Sequence, residues 1–349
     1  MVQRAGVTGE VLLRLDGVVK HFPAGHGLFG GRGADAVHAV DGVSLEVHRG
    51  ETLGLVGETG SGKSTLARCA TRLHTLTAGR VTFDGHDIST LSRRELRPYR
   101  RQLQMVFQDP YGSLNPHRRV GSIIGDPLAV LGVAAGAARR RRVQELMELV
   151  GLNPEHYNRF PAEFSGGQRQ RVGVARALAP RPRLIVCDEP VSALDVSIRA
   201  QILNLLADLQ RELDLTYLFI SHDLSVVRQV SDRVAVLYLG KLVEVAPAAE
   251  LYRRPRHPYV AALLSAVPVA DPDLADRRER IILAGDPPSP VHPPAGCRFH
   301  PRCPKARPRC ADAEPPLVPR SGDGAVHPTA CHFPVEPGEN LARVAGSAA

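Results

Sequence analysis

Tryptophan is absent from this 349-residue chain, and aromatic residues make up only 5% of it. Proteins that stack nucleic-acid bases use aromatic side chains, so a base-binding groove is not indicated. The chain also lacks an apolar run of the roughly 18 residues that a membrane-spanning helix needs. No signal peptide begins at Met1–Arg4. We therefore expect a cytosolic protein, or one that a partner holds at the cytosolic face of a membrane.

Basic residues outnumber acidic ones, and the net charge of +8 suits anionic ligands, phosphates or a membrane surface. The main local concentration of positive charge is Arg139–Arg142. It leads into Val143, Leu146, Met147 and Val150, whose spacing predicts one apolar stripe of a helix. We interpret the arginine run as the solvated start of that helix rather than as a nucleic-acid patch.

The pattern of apolar residues divides the chain into zones. Residues 11–50 alternate apolar and polar residues, which predicts antiparallel strands, separated by an exposed glycine-rich insertion from Ala24 to Gly33. A mainly helical stretch is predicted for residues 120–178, with helix starts or breaks at residues 125–128 and 153–155. Strands and helices then alternate, including a helix over Ala200–Arg211, which is typical of an α/β fold.

Beyond residue 250 the composition changes, because proline becomes dense and four of the six cysteines occur there. This composition predicts a loop-rich extension rather than more sheet. We expect a domain at residues 1–250, with a helical subdomain inserted at about residues 110–178, and an extension at residues 251–349. No internal repeat is present, so the chain carries one copy of its main unit.

A phosphate-binding loop is predicted between an apolar strand at Thr52–Val56 and a helix starting at Ser64. In the pattern G-x-x-x-x-G-K-[ST], glycines let backbone N–H groups wrap a phosphate, lysine reaches the outer phosphates, and the hydroxyl coordinates Mg²⁺. Phosphates would also face the positive end of the helix. The residues of this loop are Gly57, Glu58, Thr59, Gly60, Ser61, Gly62, Lys63, Ser64 and Thr65.

Asp188 ends the continuous apolar strand at residues 184–188, and Glu189 follows it directly. Such a strand is typical of the centre of a parallel sheet, and ligands of α/β folds collect at its carboxyl end. There Asp188 can hold Mg²⁺ through water, facing Ser64. Glu189, one residue further, can orient and polarise the attacking water for displacement at a γ-phosphate. A helix cap or surface turn would be the alternative, but the phosphate loop favours catalysis.

Two further polar residues follow apolar strands. His222 comes after the strand Tyr217–Ser221, where its imidazole can donate to the γ-phosphate, although a lone histidine at a strand end usually has a structural role. Gln108 follows a short apolar strand and begins a proline-broken loop. Its side chain can contact both Mg²⁺ and the lytic water.

Together with Phe164–Gln168, these elements resemble the ABC ATPases, since they occur in the order of that family across residues 11–245. The resemblance implies a P-loop NTPase of the ABC cassette type, with a RecA-like α/β core, an antiparallel β subdomain and a helical subdomain. It implies ATP and Mg²⁺ as ligands, with Mg²⁺ held by Ser64, Gln108 and Asp188, and Glu189, His222 and Gln108 as catalytic residues. Phe22 is the candidate for stacking on adenine.

The same resemblance implies that each chain holds half of each ATP site. The signature residues would point backbone N–H groups at the γ-phosphate in a partner cassette; they are Ser165, Gly166, Gly167 and Gln168. A second segment would join the two sites across the interface; it comprises Ser192, Ala193, Leu194 and Asp195. Phenylalanine stands at position 164, where leucine is commonest in the family.

A narrower resemblance lies in the extension. Arg256–Tyr259, an apolar helix and Gly296–Cys303 are similar to the C-terminal region of oligopeptide/dipeptide importer ATPases, and Pro190–Ser197 resembles their F-type member. This implies an ATPase that energises peptide import, or nickel import as in some relatives, at the cytoplasmic face of the membrane. The implied partners are a homologous D-type ATPase, two permease subunits and, indirectly, a substrate-binding protein. The loop after Gln108, through Tyr111 to Arg119, would receive the permease helices.

Four cysteines are spaced C-x5-C-x6-C-x20-C in the extension, namely Cys297, Cys303, Cys310 and Cys331. Disulfides are not expected in a cytosolic chain. The thiolates could ligate an iron–sulfur cluster, hold zinc with help from His300 or His332, or stay unligated. The absence of a C-x2-C pair disfavours zinc, and a [4Fe–4S] site in some relatives supports the cluster. We expect a structural role, because this segment is remote in sequence from the nucleotide residues, and we expect Cys69 and Cys187 in the core.

Two other functions compete with import. A soluble ABC ATPase acting as an ATP-gated clamp on nucleic acid or the ribosome usually has two cassettes or a long coiled-coil insertion, and this chain has neither. A metal-sensing regulator that only binds ATP would not need Glu189 and His222. Partnership with nucleic acid is therefore not expected.

Overall fold

The computed structural model describes residues 9–24, 35–109, 112–267, 280–319 and 327–342. The predicted glycine-rich insertion lies outside these ranges except for Ala24. The strands are β1 Val11–Pro23, β2 Ala36–His48, β3 Thr52–Val56, β4 Ala78–Phe83, β5 His86–Asp87, β6 Leu103–Val106, β7 Leu184–Asp188, β8 Thr216–Ile220, β9 Arg233–Tyr238 and β10 Lys241–Pro247. The α-helices are α1 Lys63–Ala70, α2 Arg97–Gln102, α3 Val120–Val130, α4 Gly136–Leu149, α5 Gly166–Leu178, α6 Val196–Leu213, α7 Leu224–Val230, α8 Ala248–Arg253, α9 Pro258–Ser265 and α10 Pro308–Asp312.

A six-stranded sheet forms the centre of the molecule, in the order β10-β9-β3-β8-β7-β6. Five strands of this sheet, β6, β7, β8, β3 and β9, run parallel to one another, and β10 runs antiparallel to β9. Every residue of β3, β7 and β8 is buried, as expected for strands covered on both faces. Parallel pairing brings the carboxyl ends of β6, β7, β8 and β3 to one edge of the sheet, where the candidate site lies.

A second, antiparallel sheet has the order β2-β1-β4-β5. This agrees with the alternation of apolar and polar residues along residues 11–50. Its buried side chains, such as Leu13, Leu15 and Phe83, share a core with α1 and the central strands. The small sheet is therefore fixed against the helix that follows the phosphate loop.

The helical zone is confirmed by α3, α4 and α5, with short 3-10 helices at Pro154–Asn158 and Pro161–Glu163 between α4 and α5. Its predicted apolar stripe is correct, because Val143, Leu146, Met147 and Val150 are all buried. None of the helices in the described part of the chain is long and apolar enough to cross a bilayer.

Two helix boundaries differ from the prediction. Helix α3 continues through residues 125–128, with Pro127 inside it, where we predicted a start or break. A proline in a helix interior costs about 3 kcal/mol, but α3 buries Ile123, Ile124 and Leu128 against its neighbours, and this burial keeps the helix continuous. Helix α6 also begins at Val196, earlier than the predicted Ala200.

The extension after β10 is loop-rich, as expected, but it packs closely onto the central sheet. Glu244 in β10 is fully buried, and its carboxylate accepts hydrogen bonds from the backbone N–H groups of Arg256 (2.9 Å) and His257 (2.7 Å). His327 Nε2 lies 2.7 Å from the same carboxylate, and Glu244 pairs with Thr329 in an isolated β-bridge. One strand residue thus joins two segments of the extension, around residues 256–257 and 327–329, to the sheet.

Candidate nucleotide site

The loop between β3 and α1 has a backbone path that requires glycine. Gly62 has φ 104°, and a Cβ at this position would lie 2.0 Å from the carbonyl oxygen of Ala39. A Cβ on Gly57 would lie 2.1 Å from the carbonyl oxygen of Leu237. The loop is therefore pressed against the strands on both sides, and its N–H groups lie at the positive end of α1. This arrangement suits a phosphate group.

Lys63 begins α1 and is 5% exposed. Its Nζ donates to the carbonyl oxygens of Gly57 (2.8 Å) and Glu58 (2.9 Å). Burial lowers the pKa of Lys63, although the carboxylates of Glu189, Asp188 and Glu58 oppose this. A bound triphosphate would supply negative charge to this buried ammonium group.

Ser64 and Asp188 meet across the site, as predicted. The Ser64 hydroxyl donates to Asp188 Oδ1 at 2.8 Å, and Asp188 is 1% exposed at the end of β7. Burial raises the pKa of Asp188, and the hydrogen bond from Ser64 opposes that rise. A hydroxyl and a buried carboxylate whose charged form is destabilised fit a Mg²⁺ ion, because Mg²⁺ prefers oxygen ligands and would stabilise the carboxylate.

Glu189 lies at the centre of the three predicted catalytic side chains. Gln108 Nε2 donates to Glu189 Oε2 at 2.9 Å, and His222 Nδ1 lies 3.2 Å from Glu189 Oε1. The three residues come together because they follow β6, β7 and β8, which are adjacent parallel strands. Glu189 has φ 46°, in the left-handed region that non-glycine residues rarely adopt, and such strain concentrates at functional sites.

Residues 40–192 match the ABC transporter family, and residues 243–310 match the C-terminal region of oligopeptide/dipeptide transporters. The chain is 52% identical to the oligopeptide transport ATP-binding protein AppF of Bacillus subtilis, covering 93% of this chain and 98% of that protein. The chain belongs to the ATP-binding subunits of the oligopeptide/dipeptide ABC transporters. It is 51% identical to a probable peptide ABC transporter ATP-binding protein, y4tS, of Sinorhizobium fredii, covering 93% of this chain and 90% of that one.

Solved structures agree on the fold of this ABC subunit. A dimeric cassette, MJ0796, in a post-hydrolysis state bound to ADP and Pi is 31% identical, with a TM-score of 0.60, and covers 68% of this chain and 99% of that chain. CbiO1 from Clostridium perfringens, part of an ABC transporter complex, is 25% identical, with a TM-score of 0.59, and covers 70% and 91%. The predicted cassette fold is confirmed, and the subunit is an ATPase coupled to transport.

The signature segment of the ABC subunit starts helix α5. Ser165 caps the helix: its Oγ accepts from Gln168 N–H (3.3 Å), and Gln168 Oε1 accepts from Ser165 N–H (3.0 Å). This reciprocal cap fixes the first turn. A Cβ on Gly167 would lie 2.5 Å from a side-chain carbon of Ile198, so glycine permits close packing on α6.

The segment from Ser192 to Asp195 leads from Glu189 into α6. Ser192 Oγ donates to the carbonyl oxygen of Glu189 at 3.1 Å, and Asp195 occupies the N-cap of α6 without a side-chain capping bond. Ser192, Ala193 and Asp195 are exposed, whereas Leu194 is 8% exposed. The segment is therefore anchored by one apolar side chain and presents polar groups outward.

Phe22 lies near the end of β1, opposite Val37 of β2. Its ring packs edge-on against His74, with centroids 5.5 Å apart, and Lys20 Nζ lies 4.8 Å from its centroid. These contacts place the ring at the surface of the small sheet. Its contact with adenine stays a prediction.

Two residues of the extension reach the phosphate loop, which sequence reasoning missed. Tyr259 Oη accepts from Glu58 N–H at 2.9 Å, and Arg302 Nη1 pairs with the Glu58 carboxylate at 3.0 Å. Tyr259 is fully buried. No local signal could reveal these contacts, because they join positions 201 and 244 residues apart.

The four extension cysteines line one small cavity of the ABC subunit, together with His257, Phe299 and His300. Burial raises the pKa of Cys303 and Cys331 to about 12. The cysteine segment is remote from the nucleotide residues in sequence but not in space, because Arg302, beside Cys303, pairs with Glu58 of the phosphate loop. Distance along the chain did not indicate distance in space, because the extension folds back over the sheet. Cys69 and Cys187 are buried core residues, as predicted.

Among the described residues, one group of three potential metal ligands has its ligand atoms all within 4.8 Å of one another, and it consists of His21, His38 and Asp41. The four extension cysteines therefore do not form such a close group. In a tetrahedral zinc site with Zn–S bonds of about 2.3 Å, neighbouring sulfurs would lie about 3.8 Å apart. The cysteine arrangement is therefore wider than a closed zinc site. His300 Nδ1 lies 2.9 Å from the Cys297 carbonyl oxygen, and His332 Nε2 lies 2.9 Å from that of Ala313.

Proposed function

We propose that this ABC subunit hydrolyses ATP to drive import of oligopeptides or dipeptides at the cytoplasmic face of the cell membrane. One observation carries the proposal: the phosphate loop, Asp188 and the Gln108–Glu189–His222 cluster meet at one sheet edge of a chain whose residues 243–310 match the oligopeptide/dipeptide transporter region. Import of peptides is supported by the names of the relatives from Bacillus subtilis and Brucella ovis, an oligopeptide transport and a putative peptide import ATP-binding protein.

The triphosphate would lie along the loop from Gly57 to Thr65, with Lys63 turning from its carbonyl partners toward the β- and γ-phosphates. Ser64, Gln108 and Asp188 would hold Mg²⁺, which neutralises charge on the phosphate oxygens. The existing contact between Ser64 and Asp188 supports this assignment, because both oxygens already face one position.

Glu189 would accept a hydrogen bond from the attacking water and align it with the γ-phosphate. Gln108 holds one carboxylate oxygen of Glu189, which restricts the direction of the other. His222 faces Glu189 through Nδ1, so its other ring nitrogen would donate to the γ-phosphate. This division lets one residue activate water while another stabilises charge that develops on the phosphate.

The site would be completed by a second cassette. The exposed Ser165 and the start of α5 would supply N–H groups to the γ-phosphate bound by the partner, and Ser192–Asp195 would lie along the interface. The dimeric state named for the related MJ0796 structure supports this arrangement. We propose a homologous D-type chain as the partner, with two ATP molecules closed between the cassettes.

Two permease subunits would bind beside the helical zone. A cavity of about 320 Å³ opens between β6 and α3, with Phe107, Asp126, Val130 and Arg176 among its lining residues. The loop predicted to receive permease helices follows Gln108 in sequence, and Pro110 and Tyr111 of that loop lie outside the described residues. A substrate-binding protein would act through the permeases.

For the extension, we propose that Cys297, Cys303, Cys310 and Cys331 hold a [4Fe–4S] cluster. Their shared cavity supports a common ligand. Their sulfur atoms are farther apart than in a closed zinc site, which favours a cluster over zinc. Protein purified without oxygen should be brown and contain about four iron and four sulfide ions per chain. Colourless protein containing zinc would instead assign the cysteines to zinc.

Co-purification tests the transport assignment. Affinity-tagged subunit should recover two polytopic membrane proteins and a second ABC ATPase from detergent-solubilised membranes of its own organism. Ser64→Ala should recover them equally, because permease binding does not need the phosphate loop. Recovery of ribosomes or nucleic acid instead of membrane proteins would refute the proposal.

A further inference from the structure

Two imidazoles and a carboxylate meet where β1 and β2 pair, outside the residues assigned to ATP. His21 and His38 are direct partners in the antiparallel register. Their ring centroids lie 4.1 Å apart, and Asp41 lies three residues after His38 on the same strand, beyond a shift in the register. Cross-strand pairing therefore places both rings on one side of the sheet, beside one carboxylate.

The ligand atoms of this cluster are close enough for one ion. His21 Nε2 lies 3.3 Å from Asp41 Oδ1, and His38 Nδ1 lies 3.7 Å from Asp41 Oδ2. Across the described ranges, no other three histidine, cysteine, aspartate or glutamate side chains place ligand atoms within 4.8 Å of one another. His38 Nδ1 is also buried without a hydrogen-bond partner. A buried polar atom without a partner is costly, and a ligated ion would supply one.

Asp41 also has cationic neighbours. Arg298 Nη2 pairs with Asp41 Oδ2, and Lys241 adds a second nearby positive charge. The two nearby cations also oppose any further positive charge, so only an ion with strong affinity for imidazole would bind.

We propose that His21, His38 and Asp41 form a binding site for a divalent transition-metal ion. Imidazole suits zinc, copper, iron and nickel, whereas Mg²⁺ and Ca²⁺ prefer oxygen ligands. Three protein ligands leave a position for water or another group. The ion cross-links β1 and β2 close to the phosphate loop, because the Ala39 carbonyl lies against Gly62.

The test uses Co²⁺ and the untagged full-length chain without nucleotide, in excess Mg²⁺ to occupy oxygen ligands of the ATP site. Equilibrium dialysis measures Co²⁺ bound to wild type, His21→Ala, His38→Ala and His86→Ala. His86 is the matched control, because it is an exposed histidine in the same small sheet. Wild type and His86→Ala should each bind one more Co²⁺ ion per chain than His21→Ala and His38→Ala.

Co²⁺ at the extension cysteines would give intense near-ultraviolet thiolate absorption, which should be the same in all four proteins. Equal Co²⁺ stoichiometry and affinity in all four proteins would overturn the proposal. If either alanine variant does not fold, His38→Leu fills more of the ring volume and supplies no ligand. A retained equivalent in His38→Leu would overturn the proposal in the same way.

Discussion

Replacement of Glu189 by glutamine separates catalysis from binding. The amide oxygen of glutamine can still accept the hydrogen bond that Gln108 Nε2 donates at 2.9 Å, and the shape of the side chain is kept. His222, at 3.2 Å from the other carboxylate oxygen, would face an amide nitrogen. The variant therefore keeps the fold and the phosphate loop but loses the carboxylate that activates water.

The size of the effect follows from this role. A positioned general base typically contributes about 10²–10⁴-fold to a rate, which corresponds to about 2.7–5.4 kcal/mol of activation free energy. We expect the kcat of Glu189→Gln to fall by at least about a hundredfold. ATP affinity should stay within a few-fold of wild type, because Lys63 and the loop N–H groups are unchanged.

Phosphate release measures turnover, a fluorescent ATP analogue measures affinity, and size-exclusion chromatography with ATP detects a trapped closed dimer. These assays use the subunit together with its partner cassette. Glu212→Gln is the matched control, since it makes the same chemical change at an exposed position on α6. Hydrolysis by Glu189→Gln at the wild-type rate would refute the assigned base.

Three other changes test separate contacts. Lys63→Ala should weaken ATP binding by at least about tenfold, because a charge-assisted contact contributes about 1.5–3 kcal/mol; calorimetric titration with an unchanged Kd would contradict this. Tyr259→Phe leaves Glu58 N–H without its acceptor and should raise the KM for ATP, whereas Tyr252→Phe, which removes a hydroxyl that contacts a backbone carbonyl elsewhere, should not. Glu244→Gln should lower the free energy of unfolding by about 2 kcal/mol, since hydrogen bonds to a buried charge are lost; urea unfolding curves identical to wild type would exclude that contribution.

Several parts of the site could be predicted because their signals are local. The glycines at 57 and 62 encode a backbone path that other residues cannot follow, and the apolar run before Asp188 encodes a buried strand. Pro127 alone did not predict that α3 continues through it, because burial of the apolar face of the helix outweighed the free-energy cost of a proline inside a helix. Local propensity decides such a boundary only where tertiary packing is weak.

Contacts between distant segments had no such signal. Tyr259 and Arg302 reach Glu58 only because the extension folds back onto the sheet, and the extension cysteines come near the phosphate loop for the same reason. The group of His21, His38 and Asp41 likewise depends on the register of β1 against β2. The amino-acid sequence between His21 and His38 does not indicate that register.

The amino-acid sequence by itself determined which residues follow each apolar strand, and hence the chemical inventory of the site: the loop with Lys63, then Gln108, Asp188 with Glu189, and His222. Only the tertiary structure decided that β6, β7, β8 and β3 are neighbours, so that these groups share one edge. The physical reason is that the entropy of closing a loop grows only slowly with its length. Distance along the chain therefore does not indicate which strands pair, and packing of the whole sheet makes that choice.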